Sequence, residues 1–248
     1  MKTIITTFMA ISVLISGPLQ ALTVAELSAA LSDSETRAEA DKVRDAGRKP
    51  AQVVSFLGID EGMTVIDLVA VAGYYTEVLS HAVGASGKVY MQNTPHAFAG
   101  DRGERTLAAV EARLANSRLA NVERLDQEVS NLGLAPNSVD AALMALEMHE
   151  LVNSDDPDAA ASFFAAIRTV LKPGGILGIV DHAGNPANDN KAIHRADEAQ
   201  VVAQAEAAGF SLDGTSDVLR NPGDDRTAMI FGPDMRGKTD RFVLRLQK

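Results

Sequence analysis

The stretch MTVIDLVAVAGYYTEVL, residues 63–79, decides the fold. Its apolar run ends in Asp67-Leu68, a turn of small residues follows, and a helix opens at Tyr74. An apolar strand passing into a helix through a tight turn is the opening unit of a doubly wound α/β domain. There, backbone N–H groups and a helix N-terminus come close to a ligand. Glycine usually fills such a turn because it tolerates positive φ and admits close backbone approach. Here Val69, Ala70, Val71 and Ala72 precede the single Gly73. The layout is that of a nucleotide-binding loop with most of its glycines replaced.

Downstream, strands and helices alternate. Strands are predicted over 65–69, 88–91, 122–125, 138–146 and 175–180, and helices over 75–83, 104–117, 159–171 and 198–208. Segments 210–219 and 241–246 read as a closing antiparallel pair, because Phe242, Leu244 and Leu246 alternate with polar neighbours. The expected architecture is therefore a Rossmann-like, doubly wound, mostly parallel sheet ending in an antiparallel strand pair, with ligands at the carboxyl ends of the strands. Upstream, 23–45 reads as one helix opened by a Thr23/Glu26 capping box, and Pro50 opens another that Gly58 closes. Residues 22–58 are expected to form a helical extension packed on the α/β domain of 59–248 and reaching over the ligand mouth.

Composition excludes several functions. The 248 residues include no cysteine, which removes disulfides, thiolate metal sites and a cysteine nucleophile. A formal net charge of −10 argues against a broad phosphate-binding surface, so nucleic acid is not expected as a partner. The first 21 residues read as an export signal: Lys2, an apolar run from Ile4 to Ile15, a Gly17-Pro18 break and Ala21 before a cleavage point. A periplasmic or secreted protein with no stable membrane insertion after cleavage is expected. An uncleaved anchor or a buried N-terminal helix is the alternative, and a homodimer through the N-terminal helices stays open.

The segments VIDLVAVAGYYTEVL, GKVYMQN, SVDAALMALEMHEL and LKPGGILGIVDH, in this order, resemble the class I S-adenosylmethionine-dependent methyltransferases. HRAD at 194–197, RNPGDDRT at 220–227 and RGKTDRF at 236–242 are similar to exported bacterial proteins of the predicted-methyltransferase group. The resemblance covers roughly residues 40–248. It implies S-adenosylmethionine as cofactor and a small-molecule acceptor. It also implies that Asp67 and Gly73 match the acid and last glycine of the loop that receives the methionine part. Tyr75 stands beside that turn. Gln92 or Asn93 falls where an acid often grips the ribose, and an amide can hydrogen-bond a hydroxyl without the charge. Asp126 matches the position that meets the adenine amine; a turn or cap residue is its other reading. Val69 and Val71 depart from the pattern and are expected to push the turn away or block it.

The carboxyl end of strand four, Leu146-Glu147-Met148-His149-Glu150, brings His149 towards a substrate, and Asp181-His182 ends strand five on the same rim. Imidazole titrates near neutral pH, so His149, Asp181 and His182 are the candidate catalytic set; a packed, hydrogen-bonded histidine is the alternative. Glu147, His149, Glu150, Asp181, His182 and His194 are potential metal ligands whose spacing matches no compact motif, so no metal is assigned. Arg195 is read either as a grip on an acidic ligand or as a surface ion pair. Direct methyl transfer is the leading reading. A fold retained for small-molecule or partner binding is the second, and a hydrolase or metal-assisted enzyme is a weaker third, lacking any Gly-x-Ser-x-Gly elbow.

Overall fold

The computed structural model describes residues 22–248; the expected signal segment lies outside them. Seven strands form one sheet in the order β3-β2-β1-β4-β5-β7-β6. These are β1 (Thr64–Leu68), β2 (Lys88–Asn93), β3 (Val122–Asp126), β4 (Val139–Ala145), β5 (Leu171–His182), β6 (Ser211–Ser216) and β7 (Arg241–Gln247). The first five run parallel, whereas β7 lies antiparallel between β5 and β6. Alternation of side chains along the strands divides the core in two. Ile66, Met144 and Ile179 face a cluster with Phe164 and Val201, while Val65, Leu143 and Val180 face one with Leu31, Leu57 and Leu79.

The helices that cover these faces are α1 (Val24–Asp33), α2 (Glu39–Arg48), α3 (Pro50–Leu57), α4 (Tyr74–Val83), α5 (Gly100–Leu114), α6 (Met148–Val152), α7 (Ala159–Val170) and α8 (Glu198–Ala207). Gly178 explains how α3 comes so near β5: a Cβ there would lie 2.5 Å from Leu57 Cδ1. Among the described residues, no helix is long and apolar enough to cross a membrane.

The single helix expected over 23–45 is two. The Thr23/Glu26 capping box does open α1, with the Glu26 N–H 3.2 Å from Thr23 Oγ1, but the chain breaks at Ser34 and restarts at Glu39. The break places Arg37 in the interior, paired with Asp45, and lets Tyr74 donate to Asp45 at 2.6 Å. Two other differences follow from tertiary contacts. β5 begins at Leu171 rather than at Gly175, since LKPGG bulges yet keeps Leu171 in register with Val139. The segment after β4 turns into the short α6 instead of extending the strand.

Candidate functional site

The chain leaves β1 towards β2 on one side while β4 lies on the other, and at this switch point a cleft of about 560 Å³ opens at the carboxyl ends of the strands. A larger groove of about 710 Å³ lies at the opposite, amino ends of β2 and β3, away from the candidate groups.

One wall of the cleft is the turn after β1. Val69 has φ +49°, Val71 +52° and Gly73 +80°, so the backbone follows a glycine-type course at positions that hold valine. Left-handed φ at a β-branched residue costs about 1–3 kcal/mol and persists only where surroundings over-determine it. Gln92 and Asn93, both buried at the end of β2, do this. Gln92 accepts from the Val69 N–H at 2.9 Å and donates to Gln127 O at 2.7 Å. Asn93 accepts from the Val71 N–H at 2.8 Å and donates back to Val71 O at 3.2 Å. The turn is therefore not pushed away, contrary to expectation: Val69 packs on the inner cluster and Val71 stays exposed at the mouth. Of the N–H groups from Val69 to Gly73, only that of Ala72 has no partner among the described residues. Gly73 is needed, because a Cβ there would sit 2.7 Å from Met91 Cε and 2.9 Å from Arg113 Cδ.

Asp67 sits under this turn, almost wholly buried, and accepts from the Thr76 hydroxyl at 2.5 Å. Burial pushes its carboxyl up to about 7 against the pull of Thr76. Tyr75 is buried beside it, its phenol pushed up to about 12 for the same reason. Arg113 holds the turn from outside, donating to Ala72 O at 2.6 Å while pairing with Asp41 of α2 at 2.6 Å and with Glu77 of α4. Arg44 and Arg48 of α2 line the cleft, and Arg48 lies 4.3 Å above the Tyr74 ring. Nothing in the sequence singled out these arginines, whose role depends on how α2 packs.

The opposite wall is the rim of β4 and β5. Asp181, fully buried, accepts from the His149 N–H at 2.7 Å, from the His182 N–H at 2.7 Å and from the His149 ring, with Nδ1 3.0 Å from Oδ1. Burial alone would lower the His149 pKa; the hydrogen bond and charge of Asp181 outweigh it and hold the ring above its ordinary value. His182 differs. Its Nδ1 meets Thr239 Oγ1 at 2.7 Å, and burial pushes it down to about 4, so it stays neutral. Glu147 lines the same wall, and burial pushes its carboxyl up to about 7.

Folding also unites groups far apart in sequence. His194 reaches Glu150, with Nδ1 2.9 Å from Oε1, and its ring lies 5.7 Å from that of His149 and 4.9 Å from that of Phe231. Arg195 takes neither of its expected roles. Fully buried, it pairs with Asp224 at 2.7 Å and donates to Ala183 O and Ala228 O, pinning the loops behind the rim.

Asp67, Tyr75, His149 and His182 line the cleft, Gly73 shapes its turn, and Asp181 stands directly behind it. Gln92 and Asp126 do not line it. Gln92 is engaged in holding the turn, and Asp126 pairs with Arg124 at 2.6 Å.

A model of the methyltransferase domain matches residues 79–179. The fold aligns with an S-adenosylmethionine-dependent methyltransferase from Aquifex aeolicus at 26% identity and a TM-score of 0.58, over 80% of this chain and 88% of that one. Residues 79–179 thus carry a methyltransferase domain, and the chain is similar to S-adenosylmethionine-dependent methyltransferases. The methyltransferase fold is also shared with an enzyme from Mesorhizobium loti at 16% identity (TM-score 0.55, 79% and 96% covered). It is shared too with the cyclase SpnF at 19% identity (TM-score 0.59, 87% and 84% covered). At such identities the likeness concerns the fold alone, and one fold carries several chemistries. Among curated proteins no sequence matches the chain.

S-adenosylmethionine is the cofactor of this family, and the cleft suits its methionine end. The strand-one turn keeps the glycine-type trace, the Ala72 N–H is free to donate, and Asp67 stands at the strand end. Asp67, the Ala72 backbone and Tyr75 line the cleft and would hold it. Towards the adenosine end, the amide of Gln92 acts on the turn instead.

Proposed function

We propose that the protein methylates a small acceptor seated between the strand-one turn and the rim of His149, Asp181 and His182. The observation that supports this most is the His149–Asp181 pair, whose second ring nitrogen, 3.3 Å from Glu150 Oε1, lies on a residue lining the same cleft as Asp67 and Ala72. A bound S-adenosylmethionine would supply an activated methyl carbon on its sulfonium, with sulfur keeping the bonding pair when the acceptor takes the methyl group. The remaining work belongs to the chain. The cleft aligns the acceptor, His149 Nε2 takes the proton it loses, and Asp181 stabilises the resulting imidazolium. Neutral His182 adds a wall that does not compete for the proton. The acceptor is small and not nucleic acid, in keeping with the acidic chain, and the reaction takes place in the periplasm or outside the cell, in keeping with the Lys2–Ala21 signal pattern.

Calorimetric titration of the purified protein with S-adenosylmethionine and S-adenosylhomocysteine tests this reading. The expected result is saturable heat and a rise in melting temperature with both. No heat and no shift at millimolar ligand overturns it in favour of a fold retained for binding another molecule. That second reading draws on the valines of the turn and on the N–H groups already engaged by Gln92 and Asn93.

A further inference from the structure

His149, Glu150 and His194 offer one donor atom each, and these atoms all lie within 4.8 Å of one another. Asp181 engages the Nδ1 side of His149, so the neutral ring turns a lone pair on Nε2 towards Glu150 Oε1, 3.3 Å away. His194 Nδ1 meets the same oxygen at 2.9 Å. A ring proton can close each of these contacts on Glu150, and a divalent cation can take the place of those protons and draw on all three donor atoms at once. Zinc-to-nitrogen bonds of about 2.0–2.1 Å in a tetrahedral frame set neighbouring donors roughly 3.3 Å apart, the spacing of His149 and Glu150. The buried Asp181 behind His149 is the outer carboxylate that commonly fixes the tautomer and orientation of a ligating histidine. Two imidazoles and one carboxylate suit a borderline divalent ion such as zinc or cobalt rather than magnesium or calcium.

We infer that His149, Glu150 and His194 bind one divalent transition-metal ion at the mouth of the methyltransferase cleft. All three residues line that cleft, so the fourth coordination position faces it, the pattern of a catalytic rather than a closed structural site. Resting on the methyl-transfer reading, the ion anchors an acceptor through an oxygen or sulfur atom at the open position. Bound there, the acceptor loses its proton to solvent water at a lower pH than it does free, and its remaining lone pair stays available to the methyl carbon. In the ion-bound protein the His149 Nε2 pair belongs to the metal; only the metal-free protein uses it for the proton.

Equilibrium dialysis of the metal-stripped protein against zinc and visible absorption on adding cobalt(II) test the site directly. The expected result is one ion per chain and a tetrahedral cobalt spectrum. His194→Ala and Glu150→Gln, both outside the core, should each weaken binding at least about tenfold while leaving the melting temperature of the metal-free protein unchanged. Failure to bind an ion stoichiometrically, or equal binding by both variants, overturns the site. Because S-adenosylmethionine titration is a separate measurement, metal binding without cofactor binding removes only the anchoring role. Cofactor binding without metal binding leaves methyl transfer standing and the inference refuted.

Discussion

The two walls of the cleft are built in opposite ways. At the β1 turn, polar side chains from β2 hold a backbone: Gln92 and Asn93 keep two valines in left-handed conformations. At the β4–β5 rim, one buried carboxylate collects backbone N–H groups and a ring so that imidazoles, not main chain, face the cavity. One wall keeps its shape under altered residues, and the other presents titratable side chains. A family loop can thus lose its glycines and keep its course when the neighbouring strand over-determines it.

The comparison breaks first at Asp181. Asp181→Ala leaves two buried N–H groups and an imidazole without their acceptor, and urea unfolding should register a loss of about 3 kcal/mol. A loss under about 1 kcal/mol would mean that water replaces the carboxylate and that the rim is not organised by it.

The turn should respond in the other direction. Val71→Gly removes an exposed side chain at φ +52°, so relieved strain against greater unfolded-chain freedom predicts stabilisation of up to about 1 kcal/mol. Titration should then give tighter S-adenosylmethionine binding; unchanged or weaker affinity would show that Val71 does not stand in the ligand's way.

The smallest effect is a pH slope. Glu147, faced by His149, Asp181, Glu150 and Arg102, has its carboxyl pushed by burial from 4.5 up to about 7. A raised folded value contributes stability that is complete below about 4.5 and is lost as pH rises through 7. His182, pushed down from 6.5 to about 4, contributes the reverse, complete above 6.5 and lost as pH falls through 4. Glu147→Gln should therefore flatten the fall in urea midpoint between pH 5 and pH 8, and an unchanged slope would place that carboxyl in water.

Much of this fold was legible because strand alternation and the β1 turn are local properties, and the C-terminal strand pair falls where the pattern puts it. The break at Ser34 was not legible, since only the burial of Arg37 against Asp45 makes it worthwhile. Nor was the task of Gln92. An amide at a strand end serves a ribose or a neighbouring turn equally well until the register of β1 and β2 is known. His194 joined Glu150 through a loop pinned by Arg195, a contact with no periodic trace in the chain.

Arg113 reaches across three parts of the molecule, touching Asp41 in α2, Ala72 in the turn and Glu77 in α4. If a ligand tightens the turn, this shared arginine couples that tightening to the order of the N-terminal helices, and such a coupling is reciprocal. A ligand that tightens the turn shields residues 39–48 from proteases, and trimming those residues loosens the grip on the ligand. Ligand titrations therefore belong on the protein with its N-terminal helices in place, since a version shortened to its sheet domain loses the Asp41 contact that steadies Arg113.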